Sequence, residues 1–168
     1  MPNILYECLT TIQSALQSGT PALTSAELEV ASIPTTAVVI RKTNLREEDF
    51  KTGHLLEEMP GILIVPGPTR IVQGHHSLRD AKEYSVDVVI CDRDNNQLLA
   101  GLSTYTQWQQ NIAQYFHHRT SGWPSNASGI VWLCQAKGCE TVNDWRWVKH
   151  REAVSGVQLT LHSLEPRG

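Results

Sequence analysis

Apolar residues recur at helical spacing near the start of the chain. Ile4, Leu5, Cys8, Leu9, Ile12, Ala15 and Leu16 share one stripe, and Gly19 with Pro21 supplies a stop, so residues 3–17 read as an amphipathic helix. A Thr/Ser/Ala-rich linker follows, then the β-branched run Ala37–Ile40. Gly61–Val65 is a compact apolar strand bracketed by Pro60 and by Pro66-Gly67-Pro68, because proline cannot continue a central ladder. Ile71 and Val72 extend an edge. The clearest alternation runs from Ala81 to Cys91: Tyr84, Val86, Val88 and Ile90 fall on one face, and Glu83, Ser85 and Asp87 on the other. Val89 and Cys91 make its last part apolar on both sides, which predicts cover on both faces there.

A second helix is expected from about Asp94, as N-cap with Gln97 as its capping-box partner, to about His118. Leu98, Leu102, Tyr105, Trp108, Ile112 and Phe116 line its apolar face. Ser121–Ser128 is turn-rich and Ile130–Cys134 is a strand. Ala136–Asp144 reads as a turn region, Trp145–His150 as a further strand, and Val157–His162 as the last, with Val157, Leu159 and Leu161 on one face. Strands that follow one another without crossover helices favour antiparallel pairing. The expected fold is therefore a single α+β domain over residues 1–168. It has a mainly antiparallel sheet, two helices on one face, and long projecting loops at 44–58 and 138–150.

Composition sharpens one point. Only 18% of the 168 residues are charged, against roughly 25% in ordinary soluble domains. Between Asp94 and Arg119 there is no Asp, Glu, Lys or Arg at all. A solvated helix of that length normally carries charged pairs. Gln107, Gln110 and Gln114 thus mark a neutral face suited to contact with other protein. The charged, aperiodic loop carrying Arg46, Glu47, Glu48, Asp49 and Lys51 is a second candidate contact. Trp145 and Trp147, with Trp123 and Trp132, form an aromatic group in the last third, and Trp is frequent among interface anchors. A net charge of −3 argues against a general nucleic-acid binder, and no apolar stretch approaches a membrane span.

Candidate chemistry is thin. His75-His76, His117-His118, Cys134 and Cys139 lack the spacing of a tetrahedral metal site, so no metal or other cofactor is expected. The imidazoles of His117 and His118 instead suit the negative end of a helix. The cysteines Cys8, Cys91, Cys134 and Cys139, in apolar elements or a turn, read as reduced and mostly buried thiols. There is no nucleophile elbow, and the prolines at 66 and 68 remove N–H groups that a phosphate cradle needs. Asp87, Asp92 and Asp94 read as structural.

The N-terminal helix, the strand at Ala37–Ile40, the strand at Ala81–Cys91, the long helix and the closing strand before Leu161-His162-Ser163-Leu164-Glu165-Pro166-Arg167-Gly168 together resemble the tail-terminator and related neck or tail-completion proteins of tailed bacteriophages. That resemblance implies a non-enzymatic virion protein, assembled in the host cytoplasm. It implies a homohexameric ring at the head–tail junction that ends the tail tube and meets the neck or connector. Genomic DNA would pass through the lumen without base-specific contacts. Two other classes compete: a monomeric adaptor or peptide-binding module, and a small metal-dependent hydrolase using Asp87, Asp92, His75 and His76.

Overall fold

The computed structural model describes residues 3–19, 23, 33, 35–41, 60–72, 79–93, 98–141 and 152–166. Helix α1 spans Ile4–Gln17, entered through Asn3, whose side-chain oxygen accepts from the backbone N–H groups of Leu5 (3.0 Å) and Tyr6 (3.4 Å). This satisfies two donors that a helix start leaves orphaned. Gly19, at φ 75°, follows the helix end, in the left-handed region that glycine enters without penalty.

A 3-10 turn at Thr35–Ala37 leads into strand β1 (Val38–Ile40). Strands β2 (Gly61–Val72) and β3 (Arg79–Arg93), helix α2 (Leu98–Phe116), and strands β4 (Ser125–Asn126), β5 (Gly129–Thr141) and β6 (Glu152–Pro166) complete the order. The sheet runs β1-β2-β3-β6-β5-β4. Every neighbouring pair is antiparallel except β1 with β2, which is parallel. The α+β class therefore stands, and the antiparallel expectation fails at one edge. The connection 41–60 is long enough to bring the chain back to the end it left, as a parallel pair requires.

Three boundaries also differ from the pattern reading. β2 does not stop at Pro66: its ladder with β3 is interrupted between Pro66 and Thr69 and resumes to Val72↔Ala81. A bulge takes up the prolines on a strand that, among the described residues, has only β3 beside it at that level. Residues 136–141, expected as a turn, continue β5 through a second irregularity between Ala136 and Gly138. Cys139 consequently lies in a strand, in register with Val157. Lastly, β6 extends well past Val157–His162 at both ends, matched to the length of β3.

Alternation decides what lies inside. Tyr84, Val86, Val88 and Ile90 of β3 and Val157, Leu159 and Leu161 of β6 are buried on one face. They join Ile62 and Ile64 of β2, Cys8, Leu9, Ile12 and Leu16 of α1, and Trp108, Ile112 and Phe116 of α2 in one core. Both helices thus pack on the same face, as expected. Gln13 Nε2 donates to Val38 O at 2.9 Å and ties α1 to the edge strand. At the Arg93 end of β3, Leu63, Val65 and Cys91 are buried on the other face too, as the two-sided apolar pattern there required.

Candidate interface surfaces

Helix α2 supplies the first surface. Its sequence, LLAGLSTYTQWQQNIAQYF, contains no charged residue. Gln107, Gln110 and Gln114 are all exposed, on the side away from Trp108, Ile112 and Phe116. The side chains of Leu98, Leu102 and Tyr105 lie outside the described residues, as do Asp94 and Gln97. So do Arg46, Glu47, Glu48, Asp49, Lys51, Trp145 and Trp147. The structure therefore places three of the ten expected contact residues, together on one helix face.

The second surface was not anticipated. On the face of the sheet away from the helices, Glu83 of β3 pairs in register with Arg70 of β2 on one side and with His162 of β6 on the other. Residues directly opposite across antiparallel strands share a face. His162 Nδ1 stands 3.4 Å from Glu83 Oε1, and its Nε2 stands 3.2 Å from Gln135 Oε1 of β5. Both ring nitrogens thus face oxygen, and a doubly protonated ring would donate to both. Trp132 lies over this ladder with its ring centroid 5.4 Å from that of His162, 47% exposed. Gln158 Nε2 donates to Asp87 Oδ1 at 3.3 Å on the same face. The sequence did show the polar positions Glu83, Ser85 and Asp87. It singled out Trp132 but not the face on which it stands, because the β5 register shifts between Val131 and Leu133 and breaks the alternation that would have assigned one.

Trp123, grouped with Trp132 by sequence, plays a different part. It is buried against Phe116, 5.9 Å between centroids, and its indole N–H donates to Arg119 O at 3.0 Å. The Arg119 guanidinium sits 4.3 Å from the Tyr115 ring centroid, a cation–π contact. A Cβ on Gly122 would come within 2.9 Å of that guanidinium.

A third polar group sits on the helix side, where β6 runs out beneath the start of α1. Glu165 accepts from Lys82 Nζ at 2.7 Å, from Ser163 Oγ at 3.1 Å and from the Tyr84 hydroxyl. Burial, and then the bond to Glu165, push the Tyr84 phenol upward from its usual value. Gly129 packs against this group: a Cβ there would lie 2.7 Å from Glu165 Cγ and 3.1 Å from both Ile4 Cγ1 and Leu164 O. Every donor facing Glu165 is matched, so the cluster works as a clasp rather than as a reactive carboxylate.

The thiols are equally quiet. Burial pushes Cys8 up to about 12, with Cys134, Glu7 and Glu165 adding to it. Burial likewise pushes Cys134 to about 12, against the opposing pull of Arg119. Both stay protonated and shielded, which makes them poor nucleophiles. His117 Nδ1 accepts the Ala136 backbone N–H at 3.2 Å. His118 takes φ 58° immediately after α2. Among the described residues no group of three or more His, Cys, Asp or Glu side chains could hold a metal ion. Of the hydrolase set, Asp87 is placed on the open face, and the side chains of Asp92, His75 and His76 lie outside the described residues. Among those residues no helix is long and apolar enough to cross a membrane. No protein-family model matches the chain and the curated proteins give no match, so the functional reading rests on its own residues.

Proposed function

We propose that this protein is a non-enzymatic structural subunit that assembles with copies of itself into a ring, of the tail-terminator or neck class of tailed bacteriophages. The observation that carries the reading is the charge-free helix α2, whose Gln107, Gln110 and Gln114 stand exposed with no ionic group between them. Amide side chains lose less on dehydration than carboxylates or ammonium groups, so such a face suits burial against protein. The succession of a helix, a short edge strand, two long strands, a second helix and further long strands, with both helices on one face, fits the arrangement that the resemblance implies. The ring would be a hexamer meeting the tail tube on one side and the connector on the other, with DNA passing through its lumen. Its place is the virion.

The test is the mass of the purified protein in solution, with negative-stain imaging of whatever forms. A ring of six copies is expected. Gln110→Glu combined with Gln114→Glu should weaken assembly at least tenfold in concentration while leaving thermal unfolding of the subunit unchanged. A single-copy mass at every concentration, alone and with tail or connector proteins, would sink the reading.

A further inference from the structure

We propose that His162 and Gln135 form a proton-driven switch on the open face of the sheet. When the imidazole gains a proton the Gln135 amide turns over, and the surface beside Trp132 changes from offering a hydrogen-bond acceptor to offering a donor. The switch belongs to the single subunit and goes beyond the ring reading, whose failure would leave it standing.

Glu83 fixes one side of the ring. Its Oε1 stands 3.4 Å from His162 Nδ1, and a carboxylate can only accept. A bare lone pair on Nδ1 would be repelled by it, so Nδ1 keeps its hydrogen whether the ring is neutral or charged. Nε2 is therefore the nitrogen that gains and loses the proton. It faces Gln135 Oε1 at 3.2 Å. An oxygen in that place needs an N–H opposite it, so this seating belongs to the ring with both nitrogens protonated. Once Nε2 gives up its proton it becomes an acceptor, and a carbonyl oxygen against it would set lone pair against lone pair. A primary amide removes the conflict by a half-turn about its last bond. The glutamine N–H then meets the ring and the oxygen points away, with almost no change of shape.

The ladder decides which part moves. Glu83 stands on β3, His162 on β6 and Gln135 on β5, each held by its strand's pairing. The side chains of His162 and Glu83 are only 17% and 32% exposed, so the ring is packed in place. Among the described residues no other side chain bonds the Gln135 amide, which leaves it the part that can turn.

Few charges compete. Arg70 of β2 is level with Glu83, on the side away from His162. Arg79 and Asp87 lie along β3 about 13 Å to either side of Glu83 at ~3.3 Å per residue, and Asp87 accepts from Gln158. Lys137 falls in the irregularity of β5 beyond Ala136. The same-side neighbours on β6, Thr160 and Leu164, carry no charge. Lys82 and Glu165 meet on the helix side. Among the described residues Glu83 is thus the charged group that His162 touches.

Trp132 ties the switch to the surface. Its ring centroid lies 5.4 Å from that of His162, with 43° between the planes, and the residue is 47% exposed. A cation at that range is attracted to the indole face, and a neutral ring is not. The charged state therefore holds the indole to the ladder with an amide donor beside it. The neutral state relaxes that hold and presents a carbonyl. Imidazole is the side chain whose charge changes near neutral pH, so the hydrogen-bonding sense of this surface follows the acidity of its surroundings.

Nuclear magnetic resonance of 15N-labelled protein reads the switch directly, with the His162 signals assigned by their loss in His162→Gln. The neutral ring should carry its hydrogen on Nδ1, the less common tautomer of a histidine side chain. The Gln135 side-chain amide protons should move downfield on the neutral side of the titration and return on the charged side. A neutral ring protonated at Nε2 would overturn the switch, since Gln135 would never have to turn; so would Gln135 protons that ignore the titration. Tryptophan emission gives a second reading, because imidazolium quenches a neighbouring excited indole far more than neutral imidazole does. Scanned from about pH 8 to about pH 5, where histidine side chains change charge, emission should fall in a step that is lost in Trp132→Phe and in His162→Gln alike. Gln135→Glu offers acceptors only, and should move that step upward by about one pH unit or more. No step, a step that survives His162→Gln, or one that Gln135→Glu leaves in place would each overturn the proposal.

Discussion

Trp108 and Trp132 stand on opposite sides of the same sheet. The first is buried under α2 in the shared core; the second is 47% exposed over His162 on the open face. The covered face is apolar, interlocked, and finished at one end by a saturated carboxylate. The open face carries an ionisable ladder, Arg70–Glu83–His162, with amides and an indole that solvent still reaches. One face has spent its apolar surface on folding, and the other keeps an aromatic group in reserve. An exposed tryptophan beside polar partners is the kind of anchor that interfaces use.

That contrast can be broken by experiment. The largest effect is expected from Trp108→Ala, which should cost about 3–5 kcal/mol in denaturant unfolding because it removes a buried ring and leaves a cavity. Truncating the clasp with Glu165→Ala leaves Lys82, Ser163 and Tyr84 without their shared acceptor, and should cost about 1–3 kcal/mol; a cost equal to that of a surface substitution would show the clasp to be idle. The core thiols predict an alkaline limit. Cys8 and Cys134 are raised from 9.0 to about 12 in the fold, so the folded state holds its protons where the unfolded chain releases them. Their contribution is complete below pH 9.0 and is lost as pH rises toward about 12, at no more than ~1.4 kcal/mol per pH unit for each thiol. Tyr84, raised from 10.0, adds to the loss with the same sign. Unfolding midpoints measured from pH 8 to 11 should fall accordingly, and substituting Ala at both cysteines should flatten the slope. Trp132→Ala should do least, within about 0.5 kcal/mol. A cost near that of Trp108→Ala would erase the distinction between the faces.

The sequence showed the covered face more readily than the open one, for a physical reason. Tyr84, Val86, Val88 and Ile90 announce their side by strict alternation, and Ile4, Cys8, Leu9, Ile12 and Leu16 by helical spacing, because burial enforces period. Solvent enforces none. Pro66 and Pro68 read as a strand end, since nothing local reveals that a bulge will absorb them and that β2 will resume beyond. His117 reads as a helix-end imidazole; its service to the Ala136 N–H joins positions 19 apart and is invisible to any local pattern. The parallel pairing of β1 was hidden likewise, because three residues of strand carry no mark of direction. The neutral face of α2 was legible in full, since an absence of charge over a whole helix is itself a pattern.

The order of the strands also bears on how the molecule is made. β2 and β3 are joined by 73–78, β5 and β6 by 142–151 and β1 and β2 by 41–60, whereas β3 meets β6 only across the whole of 94–151. Loop closure favours the nearer pairings, and contacts distant in sequence form late. The β1–β2–β3 half and the β5–β6 half should therefore form ahead of the seam between β3 and β6 that joins them. Destabilising Val86, which faces Leu159 across that seam, should then speed unfolding far more than it slows folding. Stopped-flow kinetics of Val86→Ala would place the closing of the seam in time.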